Sequence, residues 1–442
     1  MSDNEAPANK EKLDIKKILP VFVIVFIDLL GLTIIIPMLP FYAATFGAAP
    51  YIIGAIGAAY PLMQFIGAPI LGRISDRVGR RPVLIISQIG TLTGFIILGF
   101  SNALWMIFLS RIIDGISGAN IATAQAVITD STTEKNRTQG LGLIGAAFGL
   151  GFIVGPIIAF TVLALSNNNY PLVAFVAAAF SLASILLTYF WLEETLPVEK
   201  RGQGKQAASV GLASMLEAIR KPQVGFLLIL MFAQQFAFGG YENFLALFTL
   251  NRLGMNAANN AALFVFAGII IVAVQGGFVG RWSRRFGDRW VILMGLSVLG
   301  LGLVLTSITP EQPPPGYSKT ALEKELSSQT TVEQNIQVGL PSDDNNGWLG
   351  LGWLLVATIP AAIGGGVLQP SINSMLTKQV APDEVGGTLG ISASFFSAAN
   401  AITPLLMGFT FQFLGSTAPF LIGGIILWLL WWISRGRIQT ER

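Results

Sequence analysis

Four charged side chains stand inside long apolar stretches of the sequence, and they are the residues best placed to do chemistry. They are Asp28, Arg111, Asp114 and Glu242. A charge inside hydrocarbon is costly, so each is a functional-site hypothesis by default. The chain has no His and no Cys, which removes the usual proton carrier near neutral pH and any thiolate metal ligand. Proton transfer would have to run on carboxylates, and we expect no cofactor beyond the proton.

Each of these four residues also has a structural interpretation. Arg111 and Asp114 are three residues apart on one helix face, so they could simply neutralise each other as an ion pair. Alternatively, Arg111 holds one carboxylate ionised until a proton or a substrate changes its partner. Asp28 could be hydrogen-bonded for packing. Glu242 has no basic residue in its apolar stretch, which makes it a candidate carrier of one proton or a contact for a cationic substrate.

Uncharged polar and aromatic residues in the same stretches extend this set into a candidate substrate cavity. Any single one of them could instead form a helix-to-helix hydrogen bond. Together they predict an amphipathic pocket with few fixed polar contacts. Its expected lining is Gln64, Asn120, Gln125, Gln234, Gln235, Phe238, Tyr241, Asn373, Phe396 and Asn400.

The chain that must position these residues is too apolar to fold in water. Of its 442 residues, 53% are hydrophobic and 12% charged, and its mean hydropathy is +0.66, whereas soluble domains carry about a quarter charged residues. At about 20 residues per helical crossing, the chain accommodates about twelve spans. They are predicted near 18–40, 51–72, 82–100, 104–128, 138–161, 171–192, 224–250, 258–280, 290–309, 349–377, 385–410 and 416–434.

These spans predict an all-α integral membrane protein with twelve transmembrane helices in two pseudo-symmetric six-helix halves. Of the 27 Lys and Arg residues, all except Arg111, Arg252, Lys319 and Lys324 fall on one side, so both termini are expected in the cytoplasm. The predicted divisions are a cytoplasmic tail at 1–17, a first half at 18–192, a cytoplasmic linker at 193–223, a second half at 224–434 with a flexible external loop at 310–348, and a tail at 435–442.

An internal repeat supports the two halves. Shifting the chain by 208 residues places Gly72–Val83 over Gly280–Val291 with seven identities in twelve positions. A shift of 248 residues aligns Leu141, Gly142, Phe148 and Pro156 with Leu389, Gly390, Phe396 and Pro404. Duplicated halves are typical of secondary transporters, whose substrate sites lie near the midplane between the halves.

The loop between the second and third predicted spans carries the densest motif. Its glycines permit a tight turn, its arginines suit a phosphate-rich membrane face, and Asp76 can pair with an arginine or meet a helix N-terminus. We interpret this loop as a gating latch and expect Asp130 to pair with Arg73 or Arg77. The two arginines at the end of the motif could instead be only positive anchors. The latch residues are Gly72, Arg73, Asp76, Arg77, Gly79, Arg80 and Asp130.

This loop resembles the signature of the major facilitator superfamily. Asp28–Gly31, continuing to Pro37–Pro40, resembles the first-helix motif of its twelve-span drug:proton antiporters, the tetracycline-efflux group in particular. Arg111–Gly118 resembles their fourth-helix motif, whose arginine is associated with proton coupling in that family. A fifth-span run resembles the motif associated with antiporters, and it could be a hinge or only close packing: Gly145, Gly149, Gly151, Gly155 and Pro156.

The resemblance implies proton-coupled export of small amphipathic compounds or drugs by alternating access. The first alternative is uptake or facilitated passage of a polar nutrient such as a sugar, and the second is a non-transporting membrane sensor or lipid-interacting protein. No nucleophile with its base and no phosphate-binding loop stands out, so we expect neither an enzyme nor an ATP motor. We expect a monomer in a cell membrane (plasma or bacterial inner), with the lipid bilayer, protons and an amphipathic substrate as partners and no nucleic acid.

Overall fold

The computed structural model describes residues 15–118, 120–132, 134–202, 212–328, 337–381 and 384–438. These residues form α-helices joined by short turns, and no strand occurs among them. Helices suit hydrocarbon because they pair their backbone polar groups within one segment. The first six spans are α1 (Ile15–Ile35) continued by α2 (Leu39–Thr45), α3 (Pro50–Val78), α4 (Arg80–Gly99), α5 (Leu104–Ser117) continued by α6 (Asn120–Asp130), α7 (Glu134–Leu165) and α8 (Tyr170–Trp191).

The short helix α9 (Leu212–Arg220) precedes the second six spans. These are α10 (Pro222–Leu253), α11 (Ala257–Ala273) continued through a π-helical segment at Val274–Val279 into α12 (Gly280–Phe286), α13 (Asp288–Ser307), then, after the short α14 (Lys319–Ser327), α15 (Leu349–Lys378), α16 (Val385–Leu414) and α17 (Ala418–Arg437). By length and composition, 11 helical stretches of the described chain could cross a membrane, and α7 adds the apolar stretch Gly149–Leu165. The predicted all-α membrane fold is confirmed.

Twelve crossings place the start of α1 and the end of α17 on the same face of the molecule. We term this the tail face, and we term the opposite face, which carries residues 310–348, the loop face. The two halves, formed by the first and the second six spans, meet mainly along α3 with α16 and along α7 with α11.

The halves are closed against each other at the loop face. Gly54 of α3 lies so close to α16 that a methyl group there would overlap the carbonyl oxygen of Pro404. Asn260 of α11 donates a hydrogen bond from Nδ2 to the carbonyl oxygen of Pro37 over 3.3 Å. Residues 40–45 of α2 are all buried. The loop-face ends of both halves therefore form one continuous packed layer.

The tail-face ends of the helices are more open. A methyl group on Gly72 of α3, Gly276 of the π-helical segment or Gly387 of α16 would meet no atom within 4 Å. Arg73 and Ile74, near the end of α3, are exposed. These positions of the two halves are therefore not packed against each other.

The motif that was predicted as a loop from residue 72 is largely helical. Helix α3 continues to Val78, and α4 begins at Arg80. Gly79 alone makes the turn, with φ +119°, and the equivalent Gly287 makes the turn between α12 and α13 with φ +82°. Only glycine adopts such positive φ values readily. The motif therefore projects its charged side chains from two rigid helix ends.

The segment 310–348 was predicted to be flexible, and its described residues instead form a packed layer on the loop face. Helix α14 lies within it, and Leu322 and Leu326 of this helix are buried. Lys319 donates its backbone N–H to Asp343 Oδ1 over 2.7 Å. Gly347 donates its backbone N–H to the carbonyl oxygen of Pro313 over 2.8 Å. Hydropathy alone missed this layer because only two of the nine residues of α14 are buried.

The contact at Gly54 predicts a selective loss of stability. Gly54→Ala gains about 0.5–1 kcal/mol of helix propensity but forces the loop-face contact apart at a cost of about 1–3 kcal/mol. We expect a lower Tm in detergent. Gly72→Ala on the same helix meets no atom and is the matched control, with an unchanged or higher Tm. Equal Tm changes for the two variants would refute the contact between Gly54 and α16.

Candidate functional site

The predicted pair Arg111 and Asp114 forms a buried ion pair on α5. Arg111 Nη1 lies 3.1 Å from Asp114 Oδ2, and both side chains are 2% exposed. The guanidinium also lies 5.6 Å from the centre of the Phe95 ring on α4. Gly94 permits this approach, because a methyl group there would lie 3.0 Å from the Asp114 Cβ. Helix α4 thus supplies the wall against which the pair is desolvated.

Tyr60, which was not among the predicted site residues, joins the charged cluster. Its phenol lies near enough to Asp28 and Asp114 for both carboxylates to act on it electrostatically. Gln64 Nε2 lies 3.3 Å from Tyr60 Oη and donates to the carbonyl oxygen of Gly118 over 2.9 Å. Three helices of the first half, α1, α3 and α5, therefore bring Asp28, Arg111, Asp114, Tyr60 and Gln64 into one neighbourhood.

Asp28 also lines a small cavity that it shares with Gln88 of α4. The cavity holds about 10 Å³, close to the least space that takes one water molecule, and is otherwise apolar. Gln88 Nε2 donates to Ser184 Oγ over 2.8 Å, and that hydroxyl donates to the carbonyl oxygen of Ile24. This chain of hydrogen bonds fixes the amide orientation, so the buried Gln88 Oε1 remains as an acceptor on a residue that lines the same cavity as Asp28. Gln88 was not among the predicted site residues, since only its polarity within a span distinguished it.

In the second half, α10 presents the predicted polar and aromatic residues. Gln235 Nε2 donates to Asn400 Oδ1 of α16 over 2.8 Å. Tyr241 Oη lies 3.3 Å from Thr358 Oγ1 of α15, and its ring stacks on Phe238 at 6.3 Å. Glu242, half-buried, has no cationic nitrogen within 4.0 Å among the described residues. Its carboxylate is therefore unlike Asp114, which is neutralised by a neighbour.

Glu242 stands near the seam between the halves. The next residue, Asn243, has its Oδ1 3.4 Å from the position of a methyl group on Gly57 of α3. The same amide donates from Nδ2 to the carbonyl oxygen of Gly239 over 2.8 Å. Because α3 also carries Tyr60, one turn from Gly57, this seam separates the acid of the second half from the charged cluster of the first.

The remaining predicted cavity residues are spread along the spans. Gln234 is 1% exposed and lies beside Met231 Sδ inside the second half. Asn373 Oδ1 accepts from Ser392 Oγ over 2.8 Å, nearer the tail face. Gln125 is exposed and Phe396 half-buried. The side chain of Asn120 and the surroundings of Gly145 lie outside the described residues.

The glycine run of α7 packs against α1. A methyl group on Gly155 would overlap Oγ1 of Thr33, and one on Gly151 would lie 3.5 Å from the Cβ of Leu29. Gly149 faces the other half, with Gln275 Oε1 at 3.9 Å from its methyl position. Pro156 lies inside the unbroken helix. Close packing accounts for Gly151 and Gly155, and the hinge stays a prediction.

At the tail face, the structure corrects the predicted partner of Asp130. We expected Arg73 or Arg77, but Arg80 holds the position. Arg80 Nη1 lies 2.5 Å from Asp76 Oδ1, and its Nε lies 3.1 Å from Asp130 Oδ2. Arg73 bonds only back to its own helix, at the carbonyl oxygen of Pro69, and is exposed. Because α3 runs on to Val78, its arginines point outward and the first residue of α4 reaches the two acids.

A carboxylate also caps the start of α4. Glu194 accepts the backbone N–H groups of Arg80 and Arg81 over 2.9 and 3.2 Å. A negative charge at this end stabilises the helix dipole and offsets the arginine at the first position. Arg81 donates to the carbonyl oxygen of Tyr189 at the end of α8. The motif thereby ties α3, α4, α6 and α8 together at the tail face.

The second half repeats this arrangement with the charges exchanged. Asp288, equivalent to Arg80 at the 208-residue shift, is 0% exposed and lies 3.0 Å from Lys378 Nζ. Lys378 is equivalent to Asp130 at the 248-residue shift. Asp288 also accepts from Ser374 Oγ over 2.6 Å and from Ser283 Oγ. The internal repeat could have revealed this exchanged pair, since both shifts were already visible in the sequence.

The equivalent arginines keep their roles. Arg289, at the position of Arg81, donates to the carbonyl oxygen of Arg435 near the end of α17 over 2.7 Å. In both halves, therefore, an arginine of the motif connects the third span to the sixth span. An ion pair connects the third span to the fourth, and the positions of its positive and negative members are exchanged between the halves.

Comparison with known proteins gives one family and one fold. The sequence pattern of the Major Facilitator Superfamily matches residues 21–318 and 346–442. The Escherichia coli tetracycline resistance protein, class B, is 30% identical over 390 residues, which covers 87% of this chain and 86% of that protein. The crystal structure of the human organic anion transporter MFSD10 (TETRAN) superposes with a TM-score of 0.60 at 22% identity, covering 95% of this chain and 99% of that one. The nucleoside transporter NupG superposes at 0.69 with 13% identity, covering 97% and 100%.

The tail-face geometry predicts which arginine is coupled to Asp130. Arg80→Ala should lower the unfolding free energy by about 1–3 kcal/mol, because it leaves two partly buried acids without a cation. Combined with Asp130→Ala, it should show a coupling energy of about 0.5–3 kcal/mol in a double-mutant cycle. The matched cycle of Arg73→Ala with Asp130→Ala should be additive. Coupling between Arg73 and Asp130, with none between Arg80 and Asp130, would show that Arg73 is the partner of Asp130.

The exchanged pair predicts a strong effect of Asp288. Asp288→Ala removes three hydrogen-bonding or ionic contacts at a buried site, and we expect a loss of about 3 kcal/mol in thermal or denaturant unfolding. Asp344→Ala, at an exposed aspartate, is the control and should stay within about 0.5 kcal/mol of the wild type. A similarly small loss of unfolding free energy in both variants would show that Asp288 contributes no more to stability than an exposed aspartate does.

Proposed function

The chain belongs to the Major Facilitator Superfamily, and on that premise we propose that it is a secondary active transporter which exports small amphipathic compounds in exchange for protons. The family and its transporter relatives make the chain a membrane transporter, not an enzyme. The observation that carries the proposal is the pair of intramembrane acid sites on the two sides of one seam. These are the Asp28 and Asp114 cluster with Arg111 in the first half and Glu242 in the second.

We propose that the tail face is cytoplasmic and that the protein works as a monomer in a cell membrane. Support comes from the Lys and Arg distribution, since basic loops stay in the cytoplasm. In this orientation the conformation described here is closed to the outside and more open to the cytoplasm. Alternating access would then rock one half against the other about the midplane.

In the proposed cycle, the acids exchange protons for substrate. Glu242 has no neighbouring cation among the described residues, so an incoming proton removes the whole charge from the seam. Asp28 lies with Tyr60 beside the Arg111 and Asp114 pair, so its protonation alters a coupled cluster. Substrate that arrives from the cytoplasm would favour proton release, and the loaded carrier would open outward. Arg111 and Asp114 would bias that exchange.

The proposed substrate is amphipathic because of what α10 presents at the seam. Phe238 and Tyr241 offer stacked rings, and Gln235 with Asn400 offers a polar pair. Arg111, the cation inside the first half, is already neutralised by Asp114, which disfavours an anionic substrate. The relatives named for tetracycline resistance support a tetracycline-like compound as the first substrate to test.

The proposal is tested in liposomes that hold the purified protein and a pH-sensitive dye. A proton gradient of either sign is imposed, and tetracyclines, lipophilic cations and sugars are added in turn. Substrate-dependent proton movement with a lipophilic compound supports antiport. Movement of a sugar without proton flux would replace export by facilitated passage of a nutrient.

Neutral variants of the two separated acids should uncouple transport. Glu242→Gln and Asp28→Asn remove proton exchange with little change in size, so we expect gradient-driven accumulation to fall to the level of empty liposomes. Substrate exchange without a gradient should persist in at least one of them, because exchange needs no net proton transfer. Asp344→Asn, exposed on the loop face, is the matched control. Full gradient-driven transport in both variants would remove these acids from the mechanism.

A further inference from the structure

Helix α14 and its flanks stand outside the family pattern. The match to the Major Facilitator Superfamily stops at residue 318 and resumes at residue 346. The described part of this stretch nevertheless has an ordered helix. Ser318 Oγ caps it by accepting the backbone N–H of Ala321 over 3.4 Å. Leu322 and Leu326, four residues apart on one face, are buried, whereas Glu323 and Lys324 are exposed.

The segment is fastened to the second half. It is joined covalently to α13 and α15. Asn251, near the end of α10, donates from Nδ2 to the carbonyl oxygen of Gly339 over 2.8 Å. Gly254, with φ +59°, lies so close to the Tyr317 ring that a methyl group would overlap it. Asn256 Nδ2 lies 3.4 Å from Glu325 Oε2. The segment would therefore travel with the second half.

The apolar face of α14 is seated on the first half. Helix α14 packs against α2, of which residues 40–45 are all buried. Leu322 and Leu326 are the buried residues of α14. The charge of Glu325 also acts on the phenol of Tyr170 at the start of α8. One short helix thus bridges the two halves at the face where they are closed.

We propose that α14 is a latch that holds the loop face closed and that it must leave α2 before this face can open. The inference rests on the alternating access proposed above. If the halves separate at the loop face, α14 moves with the second half. Leu322 and Leu326 then lose their contact with α2 and become exposed to water. That exposure costs free energy, so the latch biases the carrier toward the conformation described here.

Glu325 adds a dependence on the pH at the loop face. Its burial raises the pKa of its carboxyl group, while the hydrogen bond from Asn256 opposes this. The titratable group on which the charge of Glu325 acts is the phenol of Tyr170 on α8. The ring centre of Tyr42 on α2 lies 5.7 Å from that of Tyr170. Because the docked latch binds the proton more tightly than the released latch, acid stabilises docking, and the gain is lost as the pH rises through the raised pKa. External acid should therefore hold the loop face closed.

The absence of cysteine gives a clean test of the latch. Ala44→Cys places one thiol in buried α2, and its rate of reaction with a maleimide reports opening of the loop face. In the full-length protein in detergent, adding Leu322→Gln and Leu326→Gln should raise this rate on the order of tenfold. The matched pair Glu323→Gln and Lys324→Gln changes exposed positions of the same helix and should not. Equal rates for both pairs would overturn the latch.

Cross-linking tests the same contact without weakening it. Leu326→Cys is combined with a second cysteine placed in turn along α2, and disulfide formation should stop transport until a reductant is added. The control disulfide, from Asn256→Cys with Glu325→Cys, joins two parts of the second half and should leave transport intact. Transport at the wild-type rate with α14 cross-linked to α2 would overturn the proposal.

A deletion variant tests the same proposal if the leucine variants fail to fold. Replacing residues 319–345 by a short Gly and Ser linker removes only what the family pattern lacks. It should raise Ala44→Cys labelling as the leucine pair does, and an unchanged rate would count against the latch. Labelling needs no substrate, so faster labelling without any proton-coupled transport by the wild type would refute the proposed function and keep the latch.

Discussion

The cost of placing charge in a low-dielectric interior governs this structure. Arg111 and Asp114 are each 2% exposed, and neither could stay ionised there alone. Their burial requires α4 and α5 to lie close together, which Gly94 permits, and it places the guanidinium 5.6 Å from the centre of the Phe95 ring. Asp28 and Tyr60 then fall into the electrostatic range of this pair. The desolvated ion pair thus lies where α1, α3, α4 and α5 of the first half meet.

The same constraint explains the tail face. In both halves a charged residue at the start of the third span is paired with opposite charge, but the signs of the charges are exchanged between the halves. Arg80 meets two acids, and Asp288 at the equivalent position meets Lys378. In both halves a carboxylate lies at the start of the third span: Glu194 accepts from the first two N–H groups of α4, and Asp288 is itself the first residue of α13. A helix N-terminus favours negative charge, so this feature is kept when the ion pair is reversed.

Sequence patterns predicted the spans, the repeat and the Arg111 with Asp114 pair, because apolar length and helix spacing determine them directly. They did not predict which arginine meets Asp130, since that depends on α3 continuing to Val78 and on a single turn at Gly79. Tyr60 and Gln88 were not predicted as site residues, because lone polar residues in spans are common. Only their neighbours in three dimensions distinguish these two from the others. Helix α14 was missed because its composition is polar and only two of its nine residues, Leu322 and Leu326, are buried.

The distribution of ion pairs bears on how the halves can move. Among the described residues, five ion pairs lie within one half, Glu194 pairs with Arg201 inside the segment between the halves, and Lys221 of that segment pairs with Glu384 of the second half. None of them joins the two halves. The closed loop face is held instead by backbone contact at Gly54, by hydrogen bonds such as that of Asn260, and by apolar side chains. Breaking a desolvated ion pair would strand a charge, whereas apolar surfaces can part and repack at a modest cost. A seam without ion pairs among the described residues is therefore compatible with the alternating access proposed above.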